Sequence, residues 1–461
     1  MNVVEQMKKF IEPESVALFG VSRRTGENAL SMLQNLLSYG YTGRIYPVNP
    51  NATEILGVKT YSRVADISSE IELAVINLPR YLVPGVVKEC VEQGIQSVII
   101  ETQGFADSTD EDGKQLQKEI DKFVKKGAVR ILGPNTFGTA NPFINFSSSF
   151  RKMEMEILPI GIICQTGVFF SGFHELKLLG KGFDLGNACD VGFTDGLEYF
   201  EQDDDTKIVF LHIEGIPNGR RFLSVAERVA RRKPVLALKT GKSEQAARAV
   251  QSHTGSLVGK DEVWEVALRQ SGVIRVGDID ELGDLVRIFP RLPLMGGRKI
   301  GIVSNSGGVG IMSIDACHLF NLEVAELSSG TMEQMNVLSP AWLSVSNPAD
   351  VWPSYMVSKQ PLAKVLDGSI GAMLDDGAVD ALLFVWSPWS EQNCIDLSQL
   401  LAKLAEAHPD KPLVCSLHGD HARVAQDILE VTGRITVFHN PYRAIRALGH
   451  LARYSTFRRG F

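Results

Sequence analysis

The stretch "SVALFGVSRRTGENALSMLQNLLSYGYTGRIYPVNP", Ser15 to Pro50, reads as strand, small-residue turn, helix and strand. Its opening run, Ser15 to Phe19, is short and apolar without alternation, as in a strand buried on both faces. Gly20 follows at once, the residue best suited to a tight turn. The same rhythm continues in "LAVINLP", "YLVPGVVKECVEQG", "QSVIIET" and "VRILGPN". Short Val/Ile/Leu runs alternating with helical stretches predict a parallel sheet covered on both faces. Residues 1–147 are therefore expected to form one doubly wound α/β domain.

The remainder reads as two copies of a second α/β unit. One opens with "GIICQTGVFFSG" and the other with "KIGIVSNSGGVG". "GNACDV" in the first answers "SNPADV" in the second, and each copy ends in a further strand and helix. The Pro/Gly-rich "PRLPLMGGRK", Pro290 to Lys299, suits a linker. The expected domains are therefore 1–147, 148–292 and 293–461.

Composition narrows the classes. The chain has 461 residues, 44% hydrophobic and 22% charged, so it can bury several full cores. Apolar runs are of strand length, too short for a bilayer. The N-terminus shows no secretory pattern. A net charge of −7 argues against nucleic acid as the main partner. The six cysteines form no CxxC pairs, so reduced thiols in a cytoplasmic protein are expected, with no metal site. Two histidines in "HGDH", His418 to His421, lack further ligands at metal spacing and read as a solvated loop.

The duplication acts as an internal control. The first copy carries "SHTGSLVG", Ser252 to Gly259, expected to be a small-residue loop just ahead of a helix, where the second has only "DHARVAQDILEVT". Glu214, ending the strand "KIVFLHIEG", falls opposite Ser387 and Pro388 of the second copy. His253 and Glu214 thus occur together in one copy and are missing together from the other. A neutral imidazole attacks a phosphoryl group when one nitrogen is free and the other is held by an acceptor. A carboxylate at the C-terminal edge of a parallel sheet is placed to hold it. The other reading, a surface-loop histidine with an unrelated glutamate, stays open on spacing alone.

Three turns complete the candidate site. Gln165, Thr166 and Gly167 in "CQTGVFFSG" enter a helix, where free backbone amides suit a phosphate. Gly20, Ser22, Arg23 and Arg24 follow the first strand, and two arginines suit a phosphate-rich ligand. That turn is not a GxGxxG, and "YPVNP" supplies no acidic residue for a ribose hydroxyl, which counts against NAD and a dehydrogenase. The bland reading is a tight turn with two solvated arginines. Asn135, in "ILGPNTFGTANP", lies in a loop at a strand's C-terminal end and can offer its amide to a ligand, or be part of a plain turn.

Assembled, these stretches resemble the α subunit of NDP-forming acyl-CoA synthetases, the ADP-forming acetate–CoA ligase type, and more distantly that of succinyl-CoA synthetase. The resemblance covers nearly the whole chain. It rests on "LSYGYTGRIYPVNPNATEILGVKTY", "GPNTFGTANP", "GNACDVGFTDGLEYF", "LHIEGIPNGRRF", "LKTGKSEQAARAVQSHTGSLVG" and "SNSGGVGIMSIDA" together. It implies a Rossmann-like CoA-binding domain followed by two flavodoxin-like ligase domains. His253 matches the histidine that becomes phosphorylated, and Glu214 the glutamate that orients it. Gln165, Thr166 and Gly167 match the phosphate turn. Gly20, Ser22 and Arg23 fall in the CoA loop, and Asn135 falls near the thioester.

The resemblance implies an acid–thiol ligase. Acyl-CoA and phosphate would give acyl phosphate and CoA; His253 would take the phosphoryl group and pass it to ADP. The nucleotide and Mg²⁺ would bind an ATP-grasp domain. No stretch of that length is found, so a separate β subunit and a hetero-oligomer are expected. Three departures stand out: Asn51 where the family often has a basic residue, Thr136 in place of cysteine in "GPNC", and "QTGVFF" for "QSGAL". The competing reading is a non-catalytic CoA or acyl-CoA sensor of the same fold, against which His253 and Glu214 together argue.

Overall fold

The computed structural model describes residues 2–22, 26, 29–171, 180–254 and 259–460; at residues 171 and 251–254 it describes the backbone alone. The chain divides into two compact units, Met1–Asp278 and Ile279–Phe461. Among the described residues the strands form three large sheets and one two-stranded hairpin.

In the first unit the strands are β1 (Ser15–Phe19), β2 (Arg44–Val48), a hairpin β3 (Glu54–Ile55) and β4 (Val58–Lys59), β5 (Leu73–Ile76), β6 (Ser97–Ile100) and β7 (Arg130–Leu132). The first sheet runs β2-β1-β5-β6-β7, with every pairing parallel. All residues of β1, β5 and β6 are buried, as continuous apolar runs require. The helix Glu111–Lys125 shows how the covering layer is specified. The Asp110 side chain accepts a hydrogen bond from the Gly113 amide at 2.6 Å. Acidic residues fill the first turn and Lys122 and Lys125 the last, matching the helix dipole.

The strand order reverses between β1 and β5, and parallel sheets bind ligands in the crevice at such a point. Here Gly20 has φ +85°, and a β-carbon on it would overlap the carbonyl oxygen of Asn77. Only glycine fits both the backbone angle and the gap. Asn49, beyond the end of β2, donates its side-chain amide to the Val21 carbonyl at 3.3 Å and braces the turn. The helix after this turn begins at Met32, capped by Ser31, so the expected helix does not open on the turn itself. Ser31 accepts from the Gln34 amide at 3.3 Å and sets the later start.

The second sheet contains β8 (Thr139–Asn141), β9 (Phe146–Ser147), β10 (Ile160–Cys164), β11 (Lys181–Asp184), β12 (Ile208–Ile213), β13 (Val235–Lys239) and β14 (Ile274–Val276). Its order is β14-β13-β12-β10-β11-β8-β9. Strands β10 to β14 pair in parallel, while β8 joins β11 antiparallel and β9 closes the edge. All six residues of β12 are buried. Each such Ile, Val, Phe or Leu contributes about 1.5–3 kcal/mol on burial. The reversal in this sheet lies between β10 and β12.

The second unit starts with the helix Ile279–Ile288, which packs on the long helix Pro441–Arg459. Arg443 grips the buried Asp284 with two hydrogen bonds, 2.8 and 2.9 Å. Its strands are β15 (Lys299–Ser304), β16 (Glu323–Val324), β17 (Ala349–Asp350), β18 (Ala381–Trp386), β19 (Leu413–Leu417) and β20 (Ile435–Phe438). The order is β16-β15-β18-β19-β20, with β17 also on β15. Numbered within each copy, the five main parallel strands of the second and third sheets follow one order, 2-1-3-4-5. The duplication read from sequence is thus present in the topology.

Candidate active site

The site forms where the turns after the strand ends of the first two sheets face one another. Glu101, Thr102 and Gln103 follow β6. Asn135, Thr136 and Phe137 follow β7. Gln165, Thr166 and Gly167 follow β10, and Asp184, Gly186 and Asn187 end or follow β11. With Leu30, Asn77 and Phe150 they line a cavity of about 440 Å³. The sequence-predicted residues Asn135, Gln165, Thr166 and Gly167 therefore share one cavity. Gly20 and Ser22 are not among its lining residues; they lie at the β1 turn. Arg23 and Arg24 fall outside the described residues.

Gln165 fixes the second sheet's reversal point. Its side-chain oxygen accepts from the Glu214 amide at 2.8 Å and the Gly215 amide at 3.1 Å. One buried carbonyl thus ties the turn after β10 to the turn after β12 and satisfies two amides. A helix begins directly after this turn, at Val168. A β-carbon on Gly167 would overlap the Phe137 ring, so the Gln165–Gly167 turn and the Asn135 loop are in close contact.

Glu214 is 7% exposed. The Lys239 ammonium donates to its carbonyl at 3.0 Å, donates also to the Thr240 carbonyl, and lies 5.4 Å from the centre of the Trp264 ring. Burial pushes the lysine pKa down to about 8. His212, on β12, is held down at about 4, by burial first and then by Lys239, so it is neutral near pH 7. The titratable groups around Glu214 are thus themselves shifted, as is common where chemistry is done.

His253 lies on the helix Glu244–Thr254. The expectation of a small-residue loop around it is corrected to that extent: the helix runs through Thr254. The local sequence "SEQAARAVQSHT" explains it, with good helix formers after Ser243, whose hydroxyl accepts from the Ala246 amide at 3.1 Å. The His253 side chain and residues 255–258 lie outside the described residues.

Two acids at the cavity were not singled out from sequence. Asp184 accepts from the Phe137 amide at 2.7 Å, and burial raises its pKa to about 6. Glu101 is 5% exposed, and burial holds its carboxyl well above the usual range. The available signal was position: "QSVIIET" puts an acid directly after an apolar strand, on the ligand-binding edge. Thr136 is buried, donates to the Asp184 carbonyl and accepts from the Gly138 amide at 2.8 Å. Asn51 is exposed, and its amide bonds to the Asn49 side chain at 2.9 Å.

A nucleotide-type crevice in one doubly wound sheet, joined through a polar cavity to a flavodoxin-like sheet, defines a CoA-ligase architecture. Residues 14–142 match the CoA binding domain model, and residues 159–289 match that of the succinyl-CoA ligase like flavodoxin domain. The chain is 32% identical to the α subunit of ADP-forming acetate–CoA ligase I of Pyrococcus furiosus, over 98% of both chains. It is 36% identical to the ADP-forming acetate–CoA ligase of Methanocaldococcus jannaschii over 75% of its own length, but spans only 49% of that protein. The acetyl-coenzyme A synthetase 1 of Ca. Korarchaeum cryptofilum, solved with phosphate and ADP, superposes with a TM-score of 0.87 at 27% identity, covering 99% of this chain and 98% of that one. The chain belongs to the ADP-forming acetate–CoA ligase family.

Proposed function

We propose that the chain is the α subunit of an ADP-forming acyl-CoA synthetase, interconverting acyl-CoA, ADP and phosphate with acid, CoA and ATP. The observation that carries this reading is the Gln165 fork, which joins the phosphate turn to Glu214 in the copy that also contains His253. A sensor would need neither the Glu214 carboxylate nor His253 of the same copy.

The residues fit the substrates on structural grounds. The Gly20 turn lies at the first sheet's crevice, where the CoA phosphates are assigned, with Ser22, Arg23 and Arg24 as further contacts. Phosphate is assigned to the Gln165–Gly167 turn, and the thioester to the cavity beside Asn135, whose amide donates to its oxygen. Phosphate attacks the thioester carbon and CoA leaves as thiolate, giving acyl phosphate. One imidazole nitrogen of His253 then takes the phosphoryl group and the carboxylic acid departs. Glu214 accepts the hydrogen bond of the other nitrogen and stabilises the charge on the ring. The phosphohistidine hands the group to ADP.

The ADP site, with Mg²⁺, is assigned to a separate ATP-grasp β subunit in a hetero-oligomer, in keeping with the α-subunit name of the Pyrococcus relative that matches end to end. Domains 1–147, 148–292 and 293–461 are assigned to CoA binding, phosphohistidine chemistry and the second flavodoxin-like module. No helix among the described residues is long and apolar enough to cross a membrane. Six free cysteines, five of them buried, suit a reducing cytoplasm.

The test is the intact mass of the chain after incubation with phosphate and a panel of acyl-CoAs, beside His253→Ala. An acid-labile gain of one phosphoryl group, absent from the variant, is expected. If no gain occurs even with a β subunit and ATP present, the sensor reading replaces this one.

A further inference from the structure

Glu101 is a buried acid that the phosphoryl chemistry does not use. One oxygen, Oε1, accepts from the Phe150 amide at 3.3 Å. The other, Oε2, is buried and has no hydrogen-bond partner among the described residues. An unpartnered buried oxygen in a cavity wall is a place where a ligand atom can complete the missing bond. Glu101 lines the cavity, beside Phe137 and Phe150, whose rings pack edge to face with centroids 5.4 Å apart. An aromatic wall with an acid set into it is how small-molecule sites combine apolar contact with an orienting polar contact.

Resting on the ligase reading above, we propose that Glu101 is the specificity-determining residue of the acyl pocket, with Oε2 hydrogen-bonding to an oxygen that the acyl chain carries beyond its reacting carbon. The substrate class is then a short hydroxy- or carboxy-substituted acid, and plain acetate leaves the contact unmade. The protonation state sets the direction of the bond. Burial outweighs the Phe150 and Asn77 amides, which favour the charged form, and keeps the carboxyl neutral well above the usual range. A neutral carboxyl donates its O–H, so it accommodates a hydroxyl or a substrate carboxylate without burying two like charges. Rejecting an analogue that lacks the partner oxygen is the stronger form of discrimination, because the acid is then left unpaired.

The experiment is calorimetric titration of the full chain, without phosphate, using CoA, butyryl-CoA, 4-hydroxybutyryl-CoA and glutaryl-CoA. Wild type is expected to bind at least one of the oxygenated thioesters about tenfold tighter than butyryl-CoA, the worth of one good hydrogen bond. Glu101→Leu should bring that ratio to near one while CoA itself binds as before. Glu101→Gln, which keeps size and an N–H donor, should retain the preference for the hydroxyl, and it decides the matter if the leucine variant does not fold. A wild-type ratio near one, a ratio unchanged in Glu101→Leu, or loss of CoA affinity in Glu101→Gln would each overturn the proposal. Absence of CoA binding by wild type would instead strike the ligase reading itself.

Discussion

The two flavodoxin-like copies share a strand order and differ at the reversal point. In the first, Gln165 reaches across to two amides, those of Glu214 and Gly215. In the second, the β15–β18 register aligns Asn305 with Gln165, and Ser387 and Pro388 with Glu214 and Gly215. Asparagine is one methylene shorter, and proline has no N–H to offer. The Asn305 side-chain oxygen is accordingly buried without a hydrogen-bond partner among the described residues. The fold does not need the fork, since one copy stands without it. What the fork fixes is the backbone of Glu214, and a carboxylate at that position occurs only in the copy that carries His253.

The sharpest way to break this contrast is to neutralise the carboxylate on one side and its counterpart on the other. Glu214→Gln is expected to lower turnover about 100- to 1,000-fold in steady-state kinetics with the assembled enzyme. Ser387→Ala should stay within about twofold, and an equal loss in both would remove the functional asymmetry. A second contrast concerns pH. Asp184, in the first copy, is raised by burial from its ordinary value of 3.8 to about 6. Folding therefore favours the neutral acid, which predominates below pH about 6. Its contribution is complete below pH about 4 and is lost as pH rises through 6, a change of about 3 kcal/mol at about 1.4 kcal/mol per unit. Urea midpoints from pH 4 to 7 should show this slope in wild type and a flatter one in Asp184→Asn, which keeps an acceptor for the Phe137 amide.

The fork itself is tested by giving the first copy the second copy's residue. Gln165→Asn withdraws the acceptor from two amides and is expected to cost about 2 kcal/mol in urea unfolding. It should also lower turnover several-fold by loosening Glu214. The smallest effect is expected for Asn305→Ala, under about 1 kcal/mol, because its side-chain oxygen accepts nothing. A larger loss there would show that the second copy has its own use for the position.

Much of this contrast was legible in the sequence, because strand runs, glycine turns and an internal repeat are local signals. Gly20 and Gln165 lie at the ends of apolar runs, where a ligand edge is expected. Glu101 and Asp184 were harder to see. What matters about them is burial, and burial depends on which distant segment meets them: the Phe150 amide donates to Glu101, and the Phe137 amide to Asp184. No spacing rule encodes that pairing. The helix through His253 was misjudged because small residues dominate "SHTGSLVG", while the helix formers before it extend the regular backbone to Thr254.

Strands β8 and β9 also bear on how such a protein can be divided. They precede residue 148, yet they form the edge of the second sheet by pairing with β11. A gene cut between the first two sequence domains would leave the CoA-binding piece with two strands that have no sheet to join. The piece with the second sheet would keep β11 as a raw edge, inviting other chains to pair there. The natural place to divide the molecule is instead ahead of Thr139, so that the edge strands travel with the sheet they finish.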